Sequence, residues 1–215
     1  MLALSLSSPT QSFAQTKTQY QSNRPAVDDR HFTSEAIEKI IAEVKEAIKD
    51  PKLRWMFENC YPNTLDTTVK FQMKGKKPDT FVLTGDIHAM WLRDSSAQLW
   101  PYLQLMQHDK KLQQLIAGLI NRQAECILLD PYANAFNDGP TGSFWESDNT
   151  QNMRKELHER KWELDSLCYP IRIAYFYYIL TGDTSVFDQV WKDAMKLAVK
   201  TMKEQQRKEG NGPYS

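Results

Sequence analysis

Apolar positions recur at helical spacing over most of the chain. Between residues 34 and 49, Ala36, Ile37, Ile40, Ile41, Val44, Ala47 and Ile48 fall on one side and Glu35, Glu38, Lys39, Glu43, Lys45 and Glu46 on the other. That pattern predicts a surface helix, capped near Thr33 or Ser34 and stopped by Asp50-Pro51. A short helix is expected from Leu53 to Cys60, with Trp55, Phe57 and Tyr61 as packing aromatics. At Thr68 the period changes to two. Thr68 to Met73 and Thr80 to Thr84 read as a β-hairpin, with Lys74 to Asp79 as its solvated turn. Helical spacing returns from Ser95 to Gln107, where Pro101 removes a backbone donor and bends the helix. Asp109 then caps a long helix with Leu112, Leu115, Ile116, Leu119, Ile120, Ile127 and Leu128 on one side, ending at Asp130-Pro131.

A polar and aromatic stretch from Tyr132 to about Met153 follows, holding Asn134, Asn137, Asp138, Trp145 and Asp148. Loops of this length inside a domain are uncommon unless they carry function or are disordered. Lys161 to Asp165 opens the next helix. From Leu167 to Leu180 it is apolar nearly all round, which predicts a buried helix ended by a left-handed Gly182. Phe187, Val190, Trp191, Ala194, Leu197, Ala198 and Thr201 give a last, one-sided helix. Alternating buried and amphipathic helices predict an all-α dominated domain of helical hairpins with a small β-hairpin insertion.

Composition narrows the function classes. Lys+Arg 27 against Asp+Glu 27 leaves no net charge and no basic patch, which argues against a nucleic-acid binder. No apolar run reaches the roughly 18 to 20 residues of a membrane span. Cys60, Cys126 and Cys168 are widely spaced in apolar helical settings and read as buried free thiols. Met1 to Ser8, followed by Ser12-Phe13-Ala14-Gln15, resembles the end of a secretory leader with a small-x-Ala site, so a periplasmic or secreted location is expected. Residues 1–30 are therefore taken as signal-peptide remnant plus disordered, polar lead-in, and 31–215 as the domain.

The densest chemistry lies in Thr84 to Ser96, where Asp86, His88, Trp91, Arg93 and Asp94 fall close together. Arg93 offers a planar five-donor fork suited to a carboxylate or vicinal hydroxyls, and Trp91 an apolar face with an N–H handle. Asp94 is alternatively a helix N-cap. Asp86, His88 and Asp94 lack a second nitrogen or sulfur ligand, so no metal is assigned. Asn134 and Asn137 both donate and accept, as hydroxyl-rich ligands require, and turn formation is their other role. Glu163 and Asp165, two apart, point to different sides of a continuous helix, so only one is expected to face a given sugar.

Three blocks carry a family resemblance: Phe81 to Ser95, Asp130 to Asn137, and Glu156 to Pro170. Together, in this order, they resemble the metal-independent exo-α-1,6-mannosidases of glycoside hydrolase family 125, over about His31 to the C-terminus. The resemblance implies an (α/α)6 toroid, incomplete here, and an inverting mechanism without cofactor or metal on terminal α-1,6-mannose of N-glycan or mannan type substrates. It places the Asp general acid and Glu general base beyond Ser215, so no catalytic residue is assigned and the fragment alone is expected to be inactive, with apolar faces of its inner helices uncovered. Asp86, His88, Trp91, Arg93, Asp94, Asn134, Asn137, Trp162, Glu163 and Asp165 are the expected substrate-binding residues for a mannose-containing oligosaccharide. Another inverting α/α-toroid glycosidase, or a non-catalytic carbohydrate-binding protein, is the alternative.

Overall fold

The computed structural model describes residues 20–143 and 152–214. The leader-like Met1 to Gln15, and Trp145 and Asp148, lie outside the described residues.

The first helix, α1, spans Glu35–Ala47 behind Ser34, whose hydroxyl accepts the Ile37 N–H, and it buries Ile37 and Ile41. In α2, Pro51–Cys60, the start lies two residues earlier than Leu53, because Asp50 caps the Lys52 and Leu53 N–H groups and Pro51 fits the first turn. A π-helical turn, Thr64–Thr68, leads into β1, Val69–Lys74, which pairs antiparallel with β2, Lys77–Val82. The hairpin turn is tighter than the expected Lys74 to Asp79. Lys74 pairs with Lys77, leaving Gly75 and Lys76 to reverse the chain, and Gly75 supplies a φ of +63°.

From β2 the chain passes through a turn into β3, Met90–Trp91, and directly into α3, Leu92–Leu99. Pro101 does more than bend this helix: Trp100–Gln107 tightens to a 3₁₀ helix, and the α form ends before it. Helix α4, Lys110–Leu129, begins at Asp109 as expected and buries Leu112, Leu115, Ile116, Leu119, Ile120 and Ile127. Leu128, expected on that side, is exposed. At Gly118 α4 approaches β2 so closely that only a hydrogen side chain fits. Two short strands, β4 at Ala135–Phe136 and β5 at Leu157–Glu159, lie within and just after the stretch read as a loop.

Helix α5 spans Leu164–Thr181 and ends at Gly182, φ +68°. It is not buried all round. Leu167, Ile173, Ala174 and Tyr177 are buried where α5 packs against α3, α4 and the 3₁₀ segment, while Leu164, Tyr175, Tyr178 and Ile179 stand exposed. Apolarity alone does not report which neighbours are present. Helix α6, Gln189–Glu204, is capped by Asp188 and sets Ala194, Ala198 and Thr201 inward against α4. The six α-helices of the described residues and the two-stranded hairpin make the predominantly helical fold read from the sequence pattern.

Residues 20–30, expected as a disordered lead-in, are strapped to the domain. Arg24 is held by Asp66 at 2.7 Å and Glu38 at 2.6 Å, the Trp55 indole donates to Gln21 O at 2.5 Å, and Val27–Asp29 forms a 3₁₀ turn. A buried guanidinium needs such partners, and polar composition gives no sign of them. The thiols are also corrected: only Cys126 is buried, and Cys60 and Cys168 are exposed on their helices. Among the described residues no helix is long and apolar enough to cross a membrane.

Candidate functional site

The three sequence blocks meet in a three-stranded antiparallel ribbon of order β3-β4-β5. Met90 pairs with Phe136 and Trp91 with Ala135; Ala135 in turn pairs with Glu159 and Phe136 with Leu157, with a register shift between them. Strands of two or three residues are too short for alternation to betray them, and the ribbon was not foreseen.

Upstream of β3 a turn closes between Thr84 and Ile87, helped by Gly85 at φ +59°. Asp86 stands exposed at its tip, and His88 is exposed just after it. Thr84 holds the end of the turn, its N–H donating to Ala89 O at 2.8 Å and its hydroxyl accepting the Trp91 N–H at 3.2 Å. The Trp91 side chain is only 8% exposed. Its indole N–H donates to Glu159 Oε2 at 3.2 Å, and the ring meets His158 edge-on at 5.4 Å. Trp91 thus stands behind the surface rather than as an open platform.

Two residues on, Arg93 reaches across to the start of α5. Its Nη1 donates to Glu163 Oε2 at 3.2 Å and Asp165 Oδ2 at 3.1 Å, and Nη2 lies 3.4 Å from Asp94 Oδ2. Both acids of the 163/165 pair meet one cation, contrary to the expected divergence. Glu163 is the extended N-cap residue of α5, φ −131° and ψ 122°, so helical spacing does not govern its side chain. Its carboxylate also accepts from the Ser166 hydroxyl at 3.3 Å. Asp94 is not the N-cap of α3; Trp91 holds that position and Asp94 lies in the first turn, where a helix N-terminus still favours a negative charge. The hydrogen bond to Asp165, opposed by burial and joined by the charges of Asp94, Glu163 and Asp165, raises the Arg93 pKa above its ordinary value. One guanidinium therefore serves three carboxyl groups, and all four side chains are about one-third exposed.

The two asparagines do structural work at the ribbon. Asn134 is fully buried; its amide donates to Glu159 Oε2 and its Oδ1 accepts the Lys161 N–H at 3.1 Å, while its backbone carbonyl takes the Leu92 N–H at 3.1 Å. Asn137 donates to the carbonyls of Gly142, Lys155 and Leu157 at 2.9, 3.0 and 3.1 Å. Its Oδ1 is left facing His158 Nδ1 at 3.2 Å, which makes Nδ1 the donor. Trp162 is half-buried in a separate aromatic group. It meets Tyr132 edge-on at 5.8 Å, Tyr132 stacks on Tyr214 at 5.5 Å, and the Trp162 N–H donates to Tyr214 Oη at 3.1 Å.

Sequence reasoning passed over Glu159 and Lys161. Lys161 Nζ lies 2.6 Å from Glu159 Oε1. Burial pushes the Glu159 carboxyl up, but hydrogen bonds from Lys161, Asn134 and Trp91 and the Lys161 charge outweigh it and hold the carboxyl below the ordinary glutamate range. No alternation announces Glu159 and Lys161: His158-Glu159-Arg160-Lys161 are all polar, and β5 is only three residues long.

A hollow of about 750 Å³ is lined by Arg30, Ser34, Glu38, Asp109 and Lys111 and shares no residue with the Arg93 cluster. A smaller one of about 130 Å³ lies one helical turn along α3 and α5 from that cluster, between Ala97, Trp100, Tyr169 and Arg172. Size does not identify the chemistry here. The partly open Arg93 cluster has the donors and acceptors a polyol needs; in the hollow near Arg30 the guanidinium is paired with Glu38, Asp109 accepts from the Ser34 hydroxyl and Lys111 donates to Thr33 O. Among the described residues no group of three or more His, Cys, Asp or Glu is disposed to hold a metal ion.

Comparison with known proteins supplies the family. A model described as metal-independent alpha-mannosidase (GH125) matches residues 50–214. The chain is 40% identical over 190 residues to the Meiotically up-regulated gene 157 protein of Schizosaccharomyces pombe, covering 85% of this chain and 37% of that protein. A solved Streptococcus pneumoniae structure superposes with a TM-score of 0.77 at 43% identity, covering 86% of this chain and 42% of that one. It is a metal-independent alpha mannosidase studied for the processing of N-linked glycans, in a non-productive substrate complex with alpha-1,6-mannobiose. The chain thus spans about two fifths of the length of these relatives.

Proposed function

This chain belongs to the metal-independent alpha-mannosidase family GH125, and from that premise we propose that it forms part of an exo-acting, inverting α-1,6-mannosidase that removes terminal mannose from N-glycan or mannan type chains. The observation that carries this reading is the partly exposed Arg93 cluster at the converging starts of α3 and α5. Arg93 offers donors to ring and hydroxyl oxygens, and Asp94, Glu163 and Asp165 accept from sugar hydroxyls; Asp86 and His88 stand on the adjoining turn. Trp91, Asn134 and Asn137 shape this wall from behind, and Trp162 flanks it. Helical hairpins of this kind are here part of an (α/α)6 toroid.

Inversion needs two carboxyl groups about 6.5 to 9.5 Å apart with a water between. The three acids here converge on one guanidinium, an arrangement that suits gripping rather than proton transfer, and the acid and base come from outside these 215 residues. Binding energy at the cluster then serves to distort and orient the terminal ring at a reacting bond formed elsewhere in the domain. The leader-like start supports secretion or a periplasmic site.

A paired assay tests the reading. The 215-residue chain, and one extended to the length of the relatives, are offered α-1,6-mannobiose, α-1,2- and α-1,3-mannobioses and matching glucosides, and the first anomer released is followed by proton NMR. Hydrolysis of the α-1,6-mannoside with inversion, by the extended chain alone, is the expected result. Preference for a glucoside, or retention of configuration, would overturn it, and hydrolysis by the 215 residues would overturn the placement of the acid and base.

A further inference from the structure

One buried carboxylate connects both halves of the Arg93 cluster. Through Oε2, Glu159 takes the Trp91 indole N–H at 3.2 Å and the Asn134 amide, and Trp91 stands two residues before Arg93. Through Oε1 it takes Lys161 Nζ at 2.6 Å, and Lys161 stands two residues before Glu163. Asn134 reinforces both arms, its backbone carbonyl binding the Leu92 N–H and its side-chain oxygen the Lys161 N–H, each at 3.1 Å. The segments 91–94 and 161–165 share no strand pairing with each other: the first begins at the end of β3, the second follows β5, and β4 lies between those two strands. Besides the Arg93 contacts themselves, the two segments share two buried anchors, Asn134 and the Glu159 side chain, the latter 10% exposed, while Lys161 remains 55% exposed.

We propose that Glu159 is the positioning residue of the site: with Lys161 and Asn134 it sets the distance between the Arg93 segment and the Glu163–Asp165 segment, without itself touching the sugar. The importance of Arg93 to mannoside binding rests on the function proposed above; the positioning role does not. Supporting side chains that leave a cluster even about 1 Å too loose weaken what the cluster does.

The test uses Glu159→Gln, Lys161→Met and Lys161→Arg in the protein. Glutamine keeps an acceptor for Trp91 and Asn134 but turns an amide N–H₂ towards the Lys161 ammonium, so it releases the 161–165 arm selectively. Lys161→Met removes that arm from the other end, and Lys161→Arg restores a cation. Hydrogen–deuterium exchange read without ligand is expected to rise in 161–165 for Glu159→Gln and Lys161→Met, and to stay near wild type for Lys161→Arg, with α4 unchanged in all three. Affinity for α-1,6-mannobiose falls about tenfold in the first two and returns to within about twofold in the third. Exchange in 161–165 that is unchanged in Glu159→Gln, or that rises equally throughout the domain, overturns the positioning role. If the segment loosens as described but the wild-type protein binds no mannobiose, the positioning role stands and the mannoside reading falls.

Discussion

Replacing Gly118 by alanine should destabilise the protein, although the rule for helix interiors says the reverse. Alanine in place of a mid-helix glycine ordinarily gains about 0.8–1.0 kcal/mol. At this position the added methyl would lie 2.9 Å from Thr80 N and 3.0 Å from the Asp79 carbonyl carbon, both backbone atoms of β2, and would overlap Thr80 Oγ1. That hydroxyl is not free to swing aside, since it donates to Leu115 O at 2.7 Å and is fully buried. Overpacking of this kind costs about 1–3 kcal/mol. Stranding the buried hydroxyl adds about 1–3 kcal/mol. The steric terms win, for a net loss of about 1–5 kcal/mol. Urea unfolding followed by far-UV circular dichroism measures it, and with an m-value of about 2 kcal/mol/M the midpoint should drop by about 0.5–2.5 M. On a Thr80→Ala background the same substitution should cost about 1 kcal/mol less, because the hydroxyl overlap is gone while the backbone approach remains. A Gly118→Ala protein as stable as wild type, or more so, would refute the claim that α4 and β2 meet at a closest approach reserved for glycine.

Three further outcomes follow from the side chains described. Arg93→Met should leave stability within about 1 kcal/mol, because its ion pairs are about one-third exposed, yet weaken α-1,6-mannobiose binding by about 1.5–3 kcal/mol in calorimetry; equal affinity would remove Arg93 from the site. Burial alone would raise the Asp79 carboxyl, but hydrogen bonds from Arg122 and Gln72 and the charges of Arg122 and Lys74 hold it below its ordinary 3.8. A depressed folded value means that its stabilisation is complete above the unfolded value and disappears as pH falls through the folded one. An Asp79→Asn protein should therefore lose less stability than wild type between neutral pH and strong acid, as thermal melts across that range will report. Burial pushes the Cys126 thiol up to about 12, whereas Cys60 and Cys168 are exposed. A native titration with a chromogenic disulfide should modify two thiols promptly and the third only after denaturant is added; three prompt equivalents would place Cys126 wrongly.

The helices were legible because their signals are local. Caps at Ser34, Asp50, Asp109 and Asp188 and the left-handed Gly182 are each written within a few residues of the helix they bound. The site was legible as a list of side chains but not as an arrangement. Whether Glu163 and Asp165 diverge depends on the one residue at which α5 begins, and that boundary is where periodicity is weakest. Asn134 and Asn137 have the same donors and acceptors whether they face a sugar or staple strands, so composition does not separate the two roles. Arg24 lay in a stretch whose polarity matched disorder, and its partners Glu38 and Asp66 are 14 and 42 residues away. The exposed side of α5 was missed for the opposite reason: its apolar residues say that it wants covering, not that the described neighbours cover it.

The ribbon that unites the three blocks also dictates when the cluster can exist during folding. Residues 90, 135 and 159 must come together through contacts separated by about 45 and then 24 positions, with only two or three residues per strand to reward each closure. Helices α1, α2 and α4 nucleate from neighbours along the chain, so the scaffold matures first and the ribbon locks last. On a ribosome, Arg93 has left the exit channel long before Glu163 and Asp165 are translated, and for that interval its guanidinium has only Asp94, of the three acids it will hold, to rest against.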